Sequence, residues 1–237
     1  MDSNALEGRQ LDLAAIERAL RAVQRDFAKI NAVLHCRRDS LDDKVIANMM
    51  AGYAYINTAI AADIDLLAPG QSKHLLELNA CVLCGTDAAE RAAEVRHLEA
   101  TEAHFYDDRR GGVRDIVEWH QMHRGESVWR RAAGVYVRIL SEPQLYIEGN
   151  HRTGALVMSY LLVREGRPPF VLTVDNAKGY FDPSTLITKT KKGSVGMMYR
   201  MPGIKKDFAT FLKDQTNDDF LATRPQQIAD PPVTLRA

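Results

Sequence analysis

Several things are scarce in this chain of 237 residues. No apolar stretch is long enough to cross a bilayer, so no membrane association is expected. Neither sign of charge is in excess: 31 basic side chains face 31 acidic ones. Overall charge therefore gives no support for a nucleic-acid partner. Three cysteines (Cys36, Cys81, Cys84) make no even disulfide framework. A reducing, cytoplasmic setting is the expectation. The opening Met1-Asp2-Ser3-Asn4 is polar and acidic, unlike the start of a secretory leader. Aromatics are only 7%, so the 46% of hydrophobic residues are mainly Ala, Leu, Val and Ile. That composition leans toward helices, and the length suits one compact domain with extensions.

Periodicity fills in an all-α reading. Leu13, Ile16, Leu20, Val23, Phe27, Ile30 and Leu34 recur at spacings of three and four. They form a heptad seam that either lies across the main domain or joins a homodimer. Ser40 and Asp43 form a capping pair before a helix with Val45, Met49, Tyr53, Ile56 and Ile60 on one face. Pro69-Gly70 punctuates its end. Further helices are expected near Lys73–Val82, from a Thr86 cap to Phe105, at Val113–His123 and at Ser127–Leu140. Residues 170–174 read as a short strand or an extended connection. Asp182-Pro183 reads as an N-cap and first helical residue. Ile204–Lys213 reads as the last helix, and the polar stretch from Asp214 as a mobile tail. The expected division is a helical extension at 1–40, a main domain at 41–213 and a tail at 214–237.

The most informative segment is Gln144-Leu145-Tyr146-Ile147-Glu148-Gly149-Asn150-His151-Arg152-Thr153-Gly154-Ala155. It stands directly ahead of an apolar run, at a helix start. Unpaired N–H groups there and the helix dipole favour an anion. Gly149 beside Asn150 suits a tight phosphate-cradling turn. Arg152 can grip a phosphate through two N–H groups. Glu148 is a hard oxygen ligand for Mg²⁺ on the same phosphates. An ordinary loop-to-helix turn is the plainer alternative.

The segment resembles the signature of the Fic/Doc family, His-x-Phe-x-Asp/Glu-Gly-Asn-Gly-Arg-x-x-Arg. Tyr146 matches the aromatic position, Glu148 the acid, and Gly149, Asn150 and Arg152 the central residues. The helix expected over 130–140 and the turn Gly166-Arg167-Pro168-Pro169 resemble the family's flanks. The resemblance covers roughly residues 43 to 190. It implies a Fic-like helical bundle with a nucleotide such as ATP, or another phosphate-bearing small molecule, at Glu148, Gly149, Asn150, His151, Arg152 and Thr153. Mg²⁺ and a protein target are implied as well.

Three departures fall on important positions. The family's catalytic His is Gln144 here, and an amide cannot serve as a general base. Such a base is worth about 10²–10⁴ in rate. The closing Arg, which grips a phosphate in the family, is Ala155, and the third Gly is His151. The Glu of the family's inhibitory helix has its nearest match in Thr86-Asp87-Ala88-Ala89-Glu90, which reads as an ordinary helix start. The family's β-hairpin flap has no alternating strand pair to match it, only the polar loop Asp107–Gly112.

Three functions fit these residues. The first is a phosphate-ligand-binding Fic-fold protein without ordinary AMP transfer. The second is a transferase acting on a protein hydroxyl with altered chemistry, His151 being its candidate base. The third is a helical interaction module using the heptad helix and the basic stretch of Lys178, Lys189, Lys191, Lys192, Arg200, Lys205 and Lys206. Cys81-x-x-Cys84 with His120 and His123 has metal-ligand residue types, but Val82 and Leu83 between the thiols favour packing. His97 and His104, seven residues apart, share a helix face.

Overall fold

The computed structural model describes residues 10–192 and 195–222. Its helices are α1 (Leu13–Val33), α2 (Asp43–Ala61), α3 (Lys73–Cys84), α4 (Ala88–Ala93), α5 (Val95–Phe105), α6 (Val113–Met122), α7 (Val128–Leu140), α8 (Asn150–Arg164), α9 (Ala177–Thr188) and α10 (Val195–Gln215). Among the described residues there is no strand, only isolated bridges at Leu11–Leu221 and Glu142–Lys191. The protein is all-α, as composition and periodicity implied. No described helix is long and apolar enough to cross a membrane.

The centre of the bundle is α8. Twelve of its fifteen residues are buried, so it is apolar almost all round and needs neighbours on every side. It packs on α7, α2 and α3. Gly154 lets α7 come close: a β-carbon there would lie 2.7 Å from the Tyr136 ring. Ser159, buried on α8, donates to the carbonyls of Ala155 and Phe170 and so anchors the segment that follows. That segment is an extended connection, with Phe170 and Val171 buried and Asn176 donating to the Val171 carbonyl.

The heptad seam is spent inside the chain. Ile16, Leu20, Val23, Phe27 and Ile30 are buried, and α1 packs against α2 and α9. Asp12 caps α1 by accepting from the Ala15 amide at 2.9 Å. The intramolecular alternative therefore holds for this face.

Several boundaries differ from the sequence reading. Asp42, rather than Ser40, caps α2. The helix expected from Thr86 to Phe105 is two helices, with Asp87 the cap of the first and a turn at Glu94. Pro183 lies inside α9 instead of opening it. An interior Pro forfeits a backbone hydrogen bond and costs roughly 3 kcal/mol. Burial of Tyr180, Ser184 and Ile187 on both sides of it offsets that cost. Asp182 is no cap, since its carboxylate accepts from Lys178 at 2.6 Å and from the His35 amide at 3.0 Å. Residues 214–222, expected to open the tail, are tied to the fold: α10 runs to Gln215, Phe220 is buried, and the Asp12 amide donates to the Phe220 carbonyl. The remainder of the expected tail, 223–237, lies outside the described residues.

Candidate functional site: the loop and first turn of the central helix

The stretch between α7 and α8 is held from below by aromatic and amide side chains. Tyr146 is 1% exposed, stacks on Phe105 with ring centroids 5.4 Å apart and donates to the Leu75 carbonyl. Asn150 is the central post. Its Oδ1 accepts from the Tyr146 amide at 2.9 Å, while its Nδ2 donates to the Tyr146 carbonyl at 2.8 Å and to Gln144 Oε1 at 3.1 Å. Asn79, fully buried on α3, donates to the Glu148 carbonyl and to Thr153 Oγ1, both at 3.0 Å. No sequence pattern marked Asn79, because its role exists only once α3 lies under the loop.

Gly149 precedes α8 with φ +77°, the left-handed conformation that disfavours a β-carbon. It leaves α8 with no side-chain cap. The first helical bond runs from the Thr153 amide to the Gly149 carbonyl. Among the described residues, the amides of Asn150, His151 and Arg152 meet no acceptor. These are the orphan donors of a fifteen-residue helix, with its positive dipole end behind them.

The six residues expected to bind an anion divide into two groups. Asn150 and Thr153 are buried, and their side chains are committed to the loop's own hydrogen bonds. Glu148 is exposed, and Gly149, His151 and Arg152 are half-buried. Arg152 contacts the Val82 carbonyl at 3.3 Å and Glu148 at 3.6 Å, and burial lowers its pKa. Its guanidinium is loosely held and half-buried, a state that favours an anionic partner.

His151 does not provide the basic nitrogen that the transferase reading required. Arg38 Nη1 lies 3.5 Å from its Nε2 and Tyr136 Oη lies 3.3 Å from its Nδ1. A guanidinium can only donate, so Nε2 accepts and the ring proton sits on Nδ1, facing the tyrosine oxygen. Burial, then Arg38 and Arg152, hold its pKa down to about 4. The ring is neutral near pH 7, and neither nitrogen has a spare lone pair aimed at a target. Arg38 itself was missed by the sequence reading; it arrives from the connector after α1, with Nη2 2.7 Å from Thr185 Oγ1.

Gln144 is also committed. Its Nε2 donates to the Leu140 carbonyl at 3.4 Å while its Oε1 accepts from Asn150. On its outer side the loop borders a cavity of about 710 Å³ lined by Gln144, Tyr146, Ile147, His104, Asp107 and Glu142 among others. The neighbouring Asp107–Gly112 loop forms only a 3₁₀ turn at Asp108–Arg110.

Other candidates dissolve into packing. Cys81 and Cys84 are buried, and burial pushes the Cys81 thiol up to about 11. No group of three or more His, Cys, Asp or Glu able to hold a metal ion exists among the described residues. In the basic stretch, Lys178 pairs with Asp182 and Lys205 with Glu126 at 2.9 Å. The Arg200 side chain lies outside the described residues. Glu90 pairs with Lys44, and Arg91 with Glu77 at 2.7 Å, so that helix start is engaged with α2 and α3.

No protein-family model and no curated protein matches the chain. Among solved structures it is similar to a Fic domain containing signaling protein from Bacteroides thetaiotaomicron, at 11% identity and a TM-score of 0.42, over 90% of this chain and 96% of that one.

Proposed function

We propose that this chain is a Fic-like helical protein that holds a phosphate-bearing small molecule, such as ATP or another nucleotide, at the start of α8. The observation that carries the reading is the set of unclaimed first-turn amides behind Gly149, with Arg152 beside them. Backbone N–H groups at a helix start, a favourable dipole and a guanidinium fork are the donors a phosphate needs. The exposed Glu148 carboxylate, held by Arg152 only at 3.6 Å, fits the single protein ligand that a phosphate-bound Mg²⁺ takes. Mg²⁺ bound there would neutralise phosphate charge.

Residue 144 contributes no proton-abstracting group, since an amide is not basic and both ends of this one are bonded. Ordinary AMP transfer by the family's route is accordingly not expected.

Calorimetric titration of the full chain with ATP, ADP, AMP and inorganic phosphate, with and without Mg²⁺, tests the proposal. Saturable binding is expected, weakened about tenfold or more by Arg152→Ala, the size of one lost charge-assisted pair. Glu148→Ala is expected to remove only the Mg²⁺-dependent part. Absence of binding by all four probes, or binding indifferent to Arg152→Ala, overturns it.

A further inference from the structure

We infer that His104 is the proton acceptor for a hydroxyl docked in the cavity beside Gln144, in reaction with a phosphate-bearing donor seated on α8. The inference rests on the binding site proposed above and adds a second imidazole, from a different helix, on the flank where residue 144 offers none.

His104 stands in the last turn of α5. Its Nε2 lies 2.9 Å from the main-chain oxygen of Gln144. A carbonyl oxygen only accepts, so Nε2 carries the proton and donates. In the neutral ring Nδ1 is then left with a free lone pair. A hydrogen bond at one imidazole nitrogen fixes the tautomer and aims the other, which is how histidine bases are commonly set.

Three further observations point the same way. Among the described residues Nδ1 of His104 meets no hydrogen-bond partner, yet it is not among the sealed, unpartnered polar atoms, unlike His97 Nε2 and His120 Nδ1. His104 lines the cavity of about 710 Å³ together with Gln144, Tyr146 and Ile147. Gln144, Tyr146 and Ile147 of the cavity lining run directly into the anion seat at residues 149–152, and Asn150, the first residue of α8, bonds Gln144 Oε1 at 3.1 Å. The loop thus carries the phosphate donors at its helix end and has the His104 ring held against its other end.

The reaction this permits is transfer of a phosphorus-centred group to a hydroxyl. The hydroxyl oxygen forms a bond to phosphorus as the bond to the leaving phosphate oxygen breaks. The hydroxyl proton passes to His104 Nδ1, the leaving phosphate carries away the electron pair, and the imidazolium later returns its proton to solvent. Water, a hydroxyl of this chain and a hydroxyl of another polypeptide are the acceptors of this chemistry.

The test uses the full chain with Mg²⁺ and ATP labelled at either the α or the γ phosphate. Released phosphate reports water as acceptor. Label on the chain reports its own Ser, Thr or Tyr. Label on an added pool of Ser-, Thr- and Tyr-containing peptides reports an external polypeptide. His104→Gln keeps an N–H donor for the Gln144 carbonyl, so ATP affinity is expected to stay within about threefold while turnover falls about 10²–10⁴-fold. Imidazole added to His104→Ala is expected to restore part of the rate, which a merely structural role would not allow. Wild-type protein that binds ATP but yields neither phosphate nor label overturns the inference and leaves the binding site standing. A His104→Gln variant as fast as wild type overturns it as well. Wild-type protein that binds no ATP overturns both.

Discussion

The two flanks of the loop before α8 each carry one imidazole, and the surroundings make them opposites. On the inner flank His151 is enclosed by Tyr136, Arg38 and the residues of α9, with Tyr180 Oη donating to its main-chain oxygen at 2.8 Å. Two guanidinium groups and burial keep it neutral. On the outer flank His104 is tethered, among the described residues, through Nε2 alone, beside the cavity. Residue type alone would rank His151 first, because it stands inside the signature segment. Geometry reverses the ranking: a base needs an unengaged lone pair where a substrate can reach it.

The largest expected effect breaks the post that separates the flanks. Asn150→Ala strands the buried Tyr146 amide and carbonyl and frees Gln144. Each buried group left unpaired costs roughly 1–3 kcal/mol, so a loss of about 3–5 kcal/mol is expected in urea denaturation. Binding at the α8 start should fall with it. A loss below about 1 kcal/mol would mean that the post is dispensable.

The next effect sharpens the contrast through pH. The ordinary imidazole value of 6.5 drops to about 4 at His151 in the folded chain. Between these values the unfolded chain takes up a proton that the folded chain refuses. This contribution to stability is complete above pH 6.5, declines as pH falls through that window, and falls no further below about 4. The loss from this residue is about 3 kcal/mol across the window. Buried His120, also held down to about 4, adds a slope of the same sign. Denaturation midpoints between pH 7 and pH 4 should show His151→Gln flattening the dependence. An undiminished slope in His151→Gln would show that the ring is not held neutral by its surroundings.

Gly149→Ala is expected to cost about 2 kcal/mol, the left-handed penalty for a β-carbon together with a close approach of 3.0 Å to Asn79 Nδ2. Thermal unfolding measures it, and phosphate binding should weaken as the turn reopens. Gln144→Ala is the mildest change, about 1 kcal/mol, since Gln144 is half-buried and its partner Asn150 keeps two other bonds. A much larger loss would show that Gln144, rather than Asn150, holds the loop.

Parts of this arrangement were legible before any coordinates. The seam on α1 and the apolar run of α8 follow from local patterns of 3.6-residue periodicity. A helix start close to this segment was readable because the apolar run that follows it is local, although the helix opens at Asn150, directly after the left-handed Gly149. Pro183 misled for the opposite reason: a local rule for helix starts lost to burial of the residues around it. Arg38, Asn79 and His104 are far from the signature segment in the chain. Their roles arise only where α1's connector, α3 and α5 meet it.

The order of residues by itself determined an all-helical chain, a buried central helix and a glycine turn at its start, because periodicity, side-chain bulk and backbone freedom are local properties. Tertiary structure alone decided that both ring nitrogens of His151 face polar partners while His104 is held at Nε2, and that Gln144 and Asn150 brace each other. Proton sharing depends on atoms within about 3 Å of one another, and only folding brings residues 38, 79, 104, 144 and 151 to that range of a common loop.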